Sequence, residues 1–169
     1  SITAIDNEPY ALDLLEKKAK QNSLTVSIIR ADVQRLPFQD YSFDGVTSMF
    51  LIPFIEDSKQ YFTEVFRILK PNGIFSASIR APVQHVKDGW NIKKDIMEML
   101  TKDNVLPKYQ KEWESFLHTS KENAKAVDSK NITDDKIKEM LRDIGFFDIV
   151  FYSDIAYDKY AYFLKARKI

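Results

Sequence analysis

The fold is decided by residues 42–79, SFDGVTSMFLIPFIEDSKQYFTEVFRILKPNGIFSASI. The short apolar run Phe43–Met49 predicts a strand buried on both faces. Apolar residues then recur at three-and-four spacing after Ser58, the expected N-cap, which predicts an amphipathic helix. Lys70–Gly73 combines Pro with Asn-Gly, so it is expected to stop the helix and turn the chain into a second strand, Ile74–Ile79. A strand, a helix and a strand of this length predict a right-handed crossover unit of a parallel sheet.

A strand and a helix precede this unit. The stretch Ser1–Asp6 is typical of the end of a buried strand, and the next helix is expected to begin at the N-cap Asn7 and to end at Asn22. Val26–Ile29 predicts another strand. The chain therefore opens with strands and helices in alternation, as in a parallel sheet.

After the unit the pattern changes twice. Residues 80–131 have no strand periodicity and predict a helical insertion. Thr133 is expected to cap a further helix that Gly145 closes. The connection between Phe147–Tyr152 and Tyr160–Arg167 is too short for a crossover helix, so these two strands are predicted to be antiparallel neighbours.

These elements define an α/β fold class. The prediction is a Rossmann-like, mostly parallel twisted sheet with a C-terminal antiparallel strand pair and a helical insertion. The chain has 169 residues, enough for one domain with a core. A single domain over residues 1–169 is therefore expected.

The composition limits the partners. Lys and Arg together number 25, as do Asp and Glu, so no net charge attracts nucleic acid or an anionic membrane, and neither partner is expected. No apolar run approaches the roughly 20 residues of a membrane span. Cysteine is absent, which excludes disulfides and cysteine ligands and agrees with a cytoplasmic location.

Acidic side chains follow the first two predicted strands, at Asp6 and Asp32. In open α/β sheets ligands bind beyond the carboxyl ends of the strands, and Met49 marks the same point on the third strand. A carboxylate there can accept two hydrogen bonds from vicinal ribose hydroxyls. Each Asp can equally cap the loop or helix that follows it, because Asp is common at such positions. Both interpretations remain open from the residues alone.

Four motifs stand in order along the chain. They are Ile5-Asp6-Asn7; Ala31-Asp32-Val33 followed by Leu36-Pro37-Phe38; Phe43-Asp44-Gly45-Val46; and Arg67-Ile68-Leu69-Lys70-Pro71-Asn72-Gly73. Together they resemble successive motifs of the class I S-adenosylmethionine-dependent methyltransferases. The likeness is to the small-molecule branch typified by ubiquinone-biosynthesis and type 11 enzymes, close over residues 1–79 and in element order over residues 133–169.

The resemblance implies methyl transfer from S-adenosylmethionine to a small-molecule acceptor. In that family the acid ending the second strand, here Asp6, holds the ribose hydroxyls. The aspartate after the third strand, here Asp32, takes the adenine amino group, and the backbone amide of the next residue, here Val33, meets the ring. Met49 is the residue expected along the methionine moiety.

No catalytic residue can be assigned from the sequence. If the reaction needs a base, the candidates are His85, His118 and Tyr109, each of which is more commonly structural. The two histidines have no partner at a metal-ligand spacing, so no metal is expected.

One departure from the family concerns its first strand and glycine-rich loop, which should lie upstream of Ile2. None of the four glycines replaces that loop. The chain is therefore expected to be a fragment of a longer enzyme, with two exposed strand edges through which it could oligomerise. The alternatives are a non-catalytic, methyltransferase-like interaction module and, more weakly, a nicotinamide-dinucleotide-binding domain.

Overall fold

The computed structural model describes residues 1–80, 132–152 and 161–169, together with isolated residues between 97 and 114. In chain order the elements are β1 (Ile2–Asp6), α1 (Pro9–Gln21), β2 (Val26–Arg30), β3 (Phe43–Met49), a 3₁₀ turn (Ile52–Phe54), α2 (Ser58–Ile68), β4 (Leu69–Arg80), α3 (Asp134–Ile144), β5 (Phe146–Tyr152) and β6 (Ala161–Lys168). The predicted insertion over residues 80–131 lies mostly outside the described residues, as does the connection between β5 and β6.

The strands form two sheets. In the first, β1 pairs with β2 in parallel. In the second, the order is β3-β4-β6-β5; β3 is parallel to β4, and β6 is antiparallel to both β4 and β5. The predicted crossover unit and the C-terminal antiparallel pair are thus both confirmed. In the described part of the chain, no strand of one sheet is hydrogen-bonded to a strand of the other.

The prediction that β1 and β3 are buried was wrong. Neither strand has a buried residue; Ile2 in β1 is 61% exposed and Met49 in β3 is 66% exposed. The reason is their position, because among the described residues β1 pairs only with β2 and β3 pairs only with β4. Each strand ends its sheet, so it lacks the second neighbour that a central strand has.

The core lies on one face of the second sheet, where α2 and α3 pack together. The amphipathic pattern of α2 places Phe62 and Val65 against Phe75 of β4. Other buried members are Leu69, Ala77, Ile137, Leu141, Phe146, Leu164 and Ala166. The rings of Phe62 and Phe75 meet edge to face, with their centroids 6.0 Å apart.

Two of the predicted N-caps were wrong and one was right, and the predicted ends of α1 at Asn22 and of α3 at Gly145 were both right. The N-cap of α2 is Asp57 and not Ser58, since Asp57 Oδ1 accepts the Gln60 N–H at 2.9 Å. The N-cap of α1 is Glu8 and not Asn7. At α3, Thr133 is the N-cap, as predicted. Gly145 ends that helix with a φ of 114°, the left-handed conformation that glycine adopts readily.

The predicted turn at Lys70–Gly73 lies inside β4, which begins immediately after α2. Asn72 has a φ of 64°, and a Cβ on Gly73 would lie 2.8 Å from the Lys70 carbonyl oxygen. The register with β3 shifts at this point. The Asn-Gly pair therefore makes an irregularity within a strand, because the residues before it already pair with β3.

Candidate functional site

Asp6 and Asp32 lie at the same end of the first sheet, where β1 and β2 have their carboxyl ends. Asp6 ends β1 and is in register with Arg30, the last residue of β2. The backbone N–H of Ala31 donates to the Asp6 carbonyl at 3.1 Å, and Asp32 is the next residue. Because the two strands run parallel, both carboxylates stand at the carboxyl ends of their strands, as predicted.

Each carboxylate caps its own loop and keeps one oxygen free. Asp6 Oδ1 accepts the Glu8 N–H at 2.9 Å, and Asp32 Oδ1 accepts the Gln34 N–H at 2.9 Å. No hydrogen bond within the described residues reaches Oδ2 of either side chain. The capping and ligand-binding interpretations are therefore compatible, since each side chain retains an acceptor beside its cap.

Val33 and Met49 are the other two predicted cofactor contacts. Val33 follows Asp32 in the loop after β2, and its side chain packs against the main core. Met49 ends β3 in register with Ser78 of β4. The structure thus places Asp6 and Asp32 at the end of the first sheet and Met49 on the second sheet.

The loop between β2 and β3 is bound to α2 through Arg67. Arg67 Nε and Nη2 hold the Glu64 carboxylate at 2.8 and 2.9 Å. The remaining guanidinium N–H groups donate to the carbonyls of Phe38 (2.6 Å) and Leu36 (3.0 Å) and to Asp40 Oδ1 (2.9 Å). Glu64 also accepts the Leu36 N–H at 2.7 Å. All five donors of Arg67 are therefore engaged in holding the loop that carries Asp32.

Gln34 makes a second connection from this loop to α2. Its Oε1 accepts the Asp57 N–H at 2.8 Å, and its backbone carbonyl accepts from Gln60 Nε2 at 3.2 Å. A cavity of about 700 Å³ opens here, lined by Asp32, Gln34, Gln60 and Glu64 and by the arginines at positions 30 and 35. The cavity borders Asp32 at the carboxyl end of β2.

Two ionisable groups near the site have shifted pKa values. The hydrogen bond from Arg67 lowers the pKa of Glu64, so this carboxyl stays ionised. Burial raises the pKa of Tyr61 to about 12, and its hydroxyl donates to Ser48 Oγ at 2.8 Å. Tyr61 therefore remains neutral at physiological pH.

Ser78 has a buried hydroxyl without a partner. Its side chain is 3% exposed, and Oγ has no hydrogen bond. Strand alternation puts it on the sheet face opposite Phe75 and Ala77, beside Met49. It is the sole buried side-chain polar atom in the described part of the chain that is left unsatisfied.

Sequence reasoning overlooked Gln34, Gln60 and Glu64. Glu64 and Arg67 carry a local signal, because opposite charges three residues apart face each other on a helix. Gln34 carries none, since its partner Asp57 is 23 positions away.

The candidate bases His85, His118 and Tyr109 lie outside the described residues, and the catalytic residue is not assigned. Within the described ranges, no three His, Cys, Asp or Glu side chains are placed to hold a metal ion. None of the helices in the described part of the chain has the length and apolar character that crossing a membrane requires.

The residues present fit the nucleoside half of S-adenosylmethionine. Ribose hydroxyls and an adenine amino group are hydrogen-bond donors, and the free oxygens of Asp6 and Asp32 are acceptors at one sheet edge. The fit depends on these two carboxylates and not on any metal.

Comparison with known proteins finds similar chains among methyltransferases. Residues 1–77 match the family described as "Methyltransferase domain". A demethylmenaquinone methyltransferase of Lactobacillus johnsonii is 26% identical over 156 residues, covering 89% of this chain and 59% of the relative. The enzyme of that name from Deinococcus radiodurans is 34% identical over 98 residues, covering 50% of this chain and 41% of the relative.

A solved structure gives the same result for the fold. The crystal structure of a SAM-dependent methyltransferase from Methanosarcina mazei matches with a TM-score of 0.62 and 18% identity, covering 99% of this chain and 81% of that chain.

Residues 1–77 thus match the methyltransferase-domain family, and the chain shares the Rossmann-like fold of this S-adenosylmethionine-dependent methyltransferase. The predicted resemblance to the methyltransferases is confirmed, and both of these relatives are demethylmenaquinone methyltransferases. The chain spans 59% and 41% of their lengths.

Proposed function

We propose that this chain takes part in methyl transfer from S-adenosylmethionine to a small-molecule acceptor. Asp6 and Asp32 bind the ribose and the adenine, the Val33 amide meets the purine, and Met49 lies along the methionine moiety. The names of the relatives make a quinone-like ring the first acceptor to test. A cytoplasmic location stays a prediction.

The strongest support for this proposal is the pair of carboxylates, Asp6 and Asp32, at the carboxyl ends of β1 and β2. Within the described residues, each carboxylate has one oxygen that accepts no hydrogen bond. The cofactor supplies an activated methyl group on its sulfonium. Transfer is an in-line displacement, so the contribution of the protein is orientation and exclusion of water. Fixed acceptors at the nucleoside end provide the orientation.

The test uses calorimetric titration of S-adenosylhomocysteine into the complete product of the reading frame that encodes these residues. We expect Asp6→Asn and Asp32→Asn each to weaken binding roughly ten- to a hundredfold, the effect of losing a charge-assisted hydrogen bond. Asn still offers Oδ1 to the backbone N–H, so the cap survives while the second acceptor is lost.

The matched control is Asp143→Asn, an exposed carboxylate at the end of α3, which should leave the affinity unchanged. Wild-type affinity in both Asn variants would mean that the two aspartates act only as caps. Binding of a nicotinamide dinucleotide in place of S-adenosylhomocysteine would favour the dinucleotide-binding alternative. Binding of neither ligand would favour the non-catalytic interaction module.

The open edges of β1 and β3 support a second proposal, that the chain associates through them. Unpaired backbone N–H and C=O groups on an edge strand are a template for another strand. We expect the mass of residues 1–169 measured by light scattering to rise with concentration. Thr47→Lys, an exposed position on β3, should return the monomer mass, because edge charges oppose pairing. A monomer mass at all concentrations would contradict this prediction.

A further inference from the structure

We propose that Gln34 is a positioning residue for the nucleoside-binding edge: its side-chain carbonyl holds the loop of Asp32 against the N-terminus of α2. The inference rests on the proposed function, because Asp32 is taken as the ligand contact. Gln34 itself acts through Asp32 and touches no reacting atom.

The geometry fixes the orientation of the Gln34 amide. A backbone N–H can only donate, so the atom 2.8 Å from the Asp57 nitrogen must be Oε1. Nε2 is thereby turned toward Asp32, 3.4 Å from Oδ1. The Gln34 backbone N–H donates to the same carboxylate oxygen at 2.9 Å. Gln34 thus contacts Asp32 twice, and its side-chain carbonyl reaches Asp57, the N-cap of α2.

The contact with Asp57 matters because of where its two partners belong. Gln34 follows β2 of the first sheet, and α2 packs on the second. The sheets share no strand pairing within the described residues, so the bonds from this loop to α2 contribute to holding Asp32 relative to the second sheet. Loss of the Gln34 acceptor removes one of these bonds, two residues from Asp32.

The position of Asp57 also predicts which substitution keeps the contact with the N-terminus of α2. Asp57 is the N-cap of α2, and its backbone N–H needs an acceptor at position 34. A carboxylate at position 34 would keep that acceptor. It would also replace the Nε2 donor that lies 3.4 Å from Asp32 Oδ1, so it would repel Asp32.

The experiment measures S-adenosylhomocysteine binding by calorimetry and hydrogen exchange at the Asp57 amide, on the complete product of the reading frame. We expect Gln34→Leu to weaken binding about tenfold, the effect of one lost hydrogen bond to an ordered site. The Asp57 amide should exchange faster in that variant. Gln34→Glu should keep the Asp57 amide protected but bind more weakly than wild type, because the new carboxylate repels Asp32 where Nε2 donated to it. If Gln34→Leu does not fold, Gln34→Asn replaces it, since its amide is one methylene too short.

The matched control is Gln39→Leu, an exposed glutamine of the same loop that is not among the residues lining the cavity. It should bind within about twofold of wild type. Equal losses in Gln34→Leu and Gln39→Leu would overturn the inference, because the effect would then be general loop order. Wild-type binding by Gln34→Leu would overturn the inference alone. No binding by the wild-type protein would overturn the proposed function with it.

Discussion

Arg67→Met should lower the free energy of unfolding by about 3 kcal/mol, the low end of the range for removing one partner of a buried ion pair. The low end applies because the Arg67 side chain is 28% exposed, although Glu64 is only 11% exposed. Two carbonyls, of Leu36 and Phe38, lose their guanidinium donors as well. Urea denaturation followed by circular dichroism measures the change.

The control is Lys70→Met. Lys70 Nζ lies 2.8 Å from Asp44 Oδ1, a similar distance, but both side chains are exposed to solvent. Solvent screens such a pair, so no measurable loss is expected. Equal stabilities of Arg67→Met and Lys70→Met would contradict the role assigned to Arg67.

The effect of Arg67→Met should also depend on pH. Arg67 lowers the pKa of Glu64 in the folded protein, so this pairing stabilises the fold above the unfolded-state pKa of the carboxyl and is lost as the pH falls through the lowered value. The difference between wild type and Arg67→Met should therefore shrink as the pH falls from about 7 toward about 3. A constant difference would mean that the ion pair is not its source.

The features that were predicted correctly from the sequence depend on residues that are close together in the chain. The caps of α3 at Thr133 and Gly145 were predicted because the cap and its helix are adjacent in sequence. The antiparallel arrangement of β5 and β6 followed from a short connection. The parallel edge with Asp6 and Asp32 followed from strand and helix order.

The predictions that failed depend on neighbours that a local pattern does not contain. Apolar runs alone do not say whether β1 and β3 have strands on both sides, so their burial was overestimated. The N-cap of α2 was shifted by one residue because both Asp57 and Ser58 are good caps. The bonds from Gln34 to Asp57 and from Arg67 to Leu36 join positions more than 20 residues apart, and no periodic pattern in the sequence indicates such pairs.

The chain's second to last residue makes a long-range contact of the same kind. Lys168 is 4% exposed, and its ammonium donates to the carbonyls of Phe66 and of Leu69, the latter at 2.8 Å. The Arg67 carbonyl lies 3.4 Å away. These groups belong to the last turn of α2 and its C-cap, where carbonyls lack partners within the helix. The rings of Tyr41 and Phe66 have centroids 4.2 and 4.4 Å from the ammonium. Lys168 therefore caps α2 from β6.

Lys168→Met should lower the free energy of unfolding by about 2 kcal/mol. Leaving buried carbonyls unsatisfied costs about 1–3 kcal/mol each, and the cation–π contacts are lost as well. Removing the buried ammonium offsets part of this loss in the free energy of unfolding, because burial lowers the pKa of Lys168 and so disfavours its charged form. Met keeps the apolar stem, which separates the loss of the donors from the loss of packing. Urea denaturation measures the change, with Lys70→Met again as the exposed control.

The sign of the pH dependence tests whether folding lowers the pKa of Lys168. Its lowered pKa means that the unfolded chain binds more protons between the folded and unfolded pKa values, so wild type gains stability as the pH rises through that interval. Lys168→Met has no such gain. The cost of the substitution should therefore be smaller at neutral pH than above the ordinary lysine pKa of about 10.4. A cost that falls as the pH rises would mean that the ammonium is favoured by its carbonyl partners more than it is disfavoured by burial.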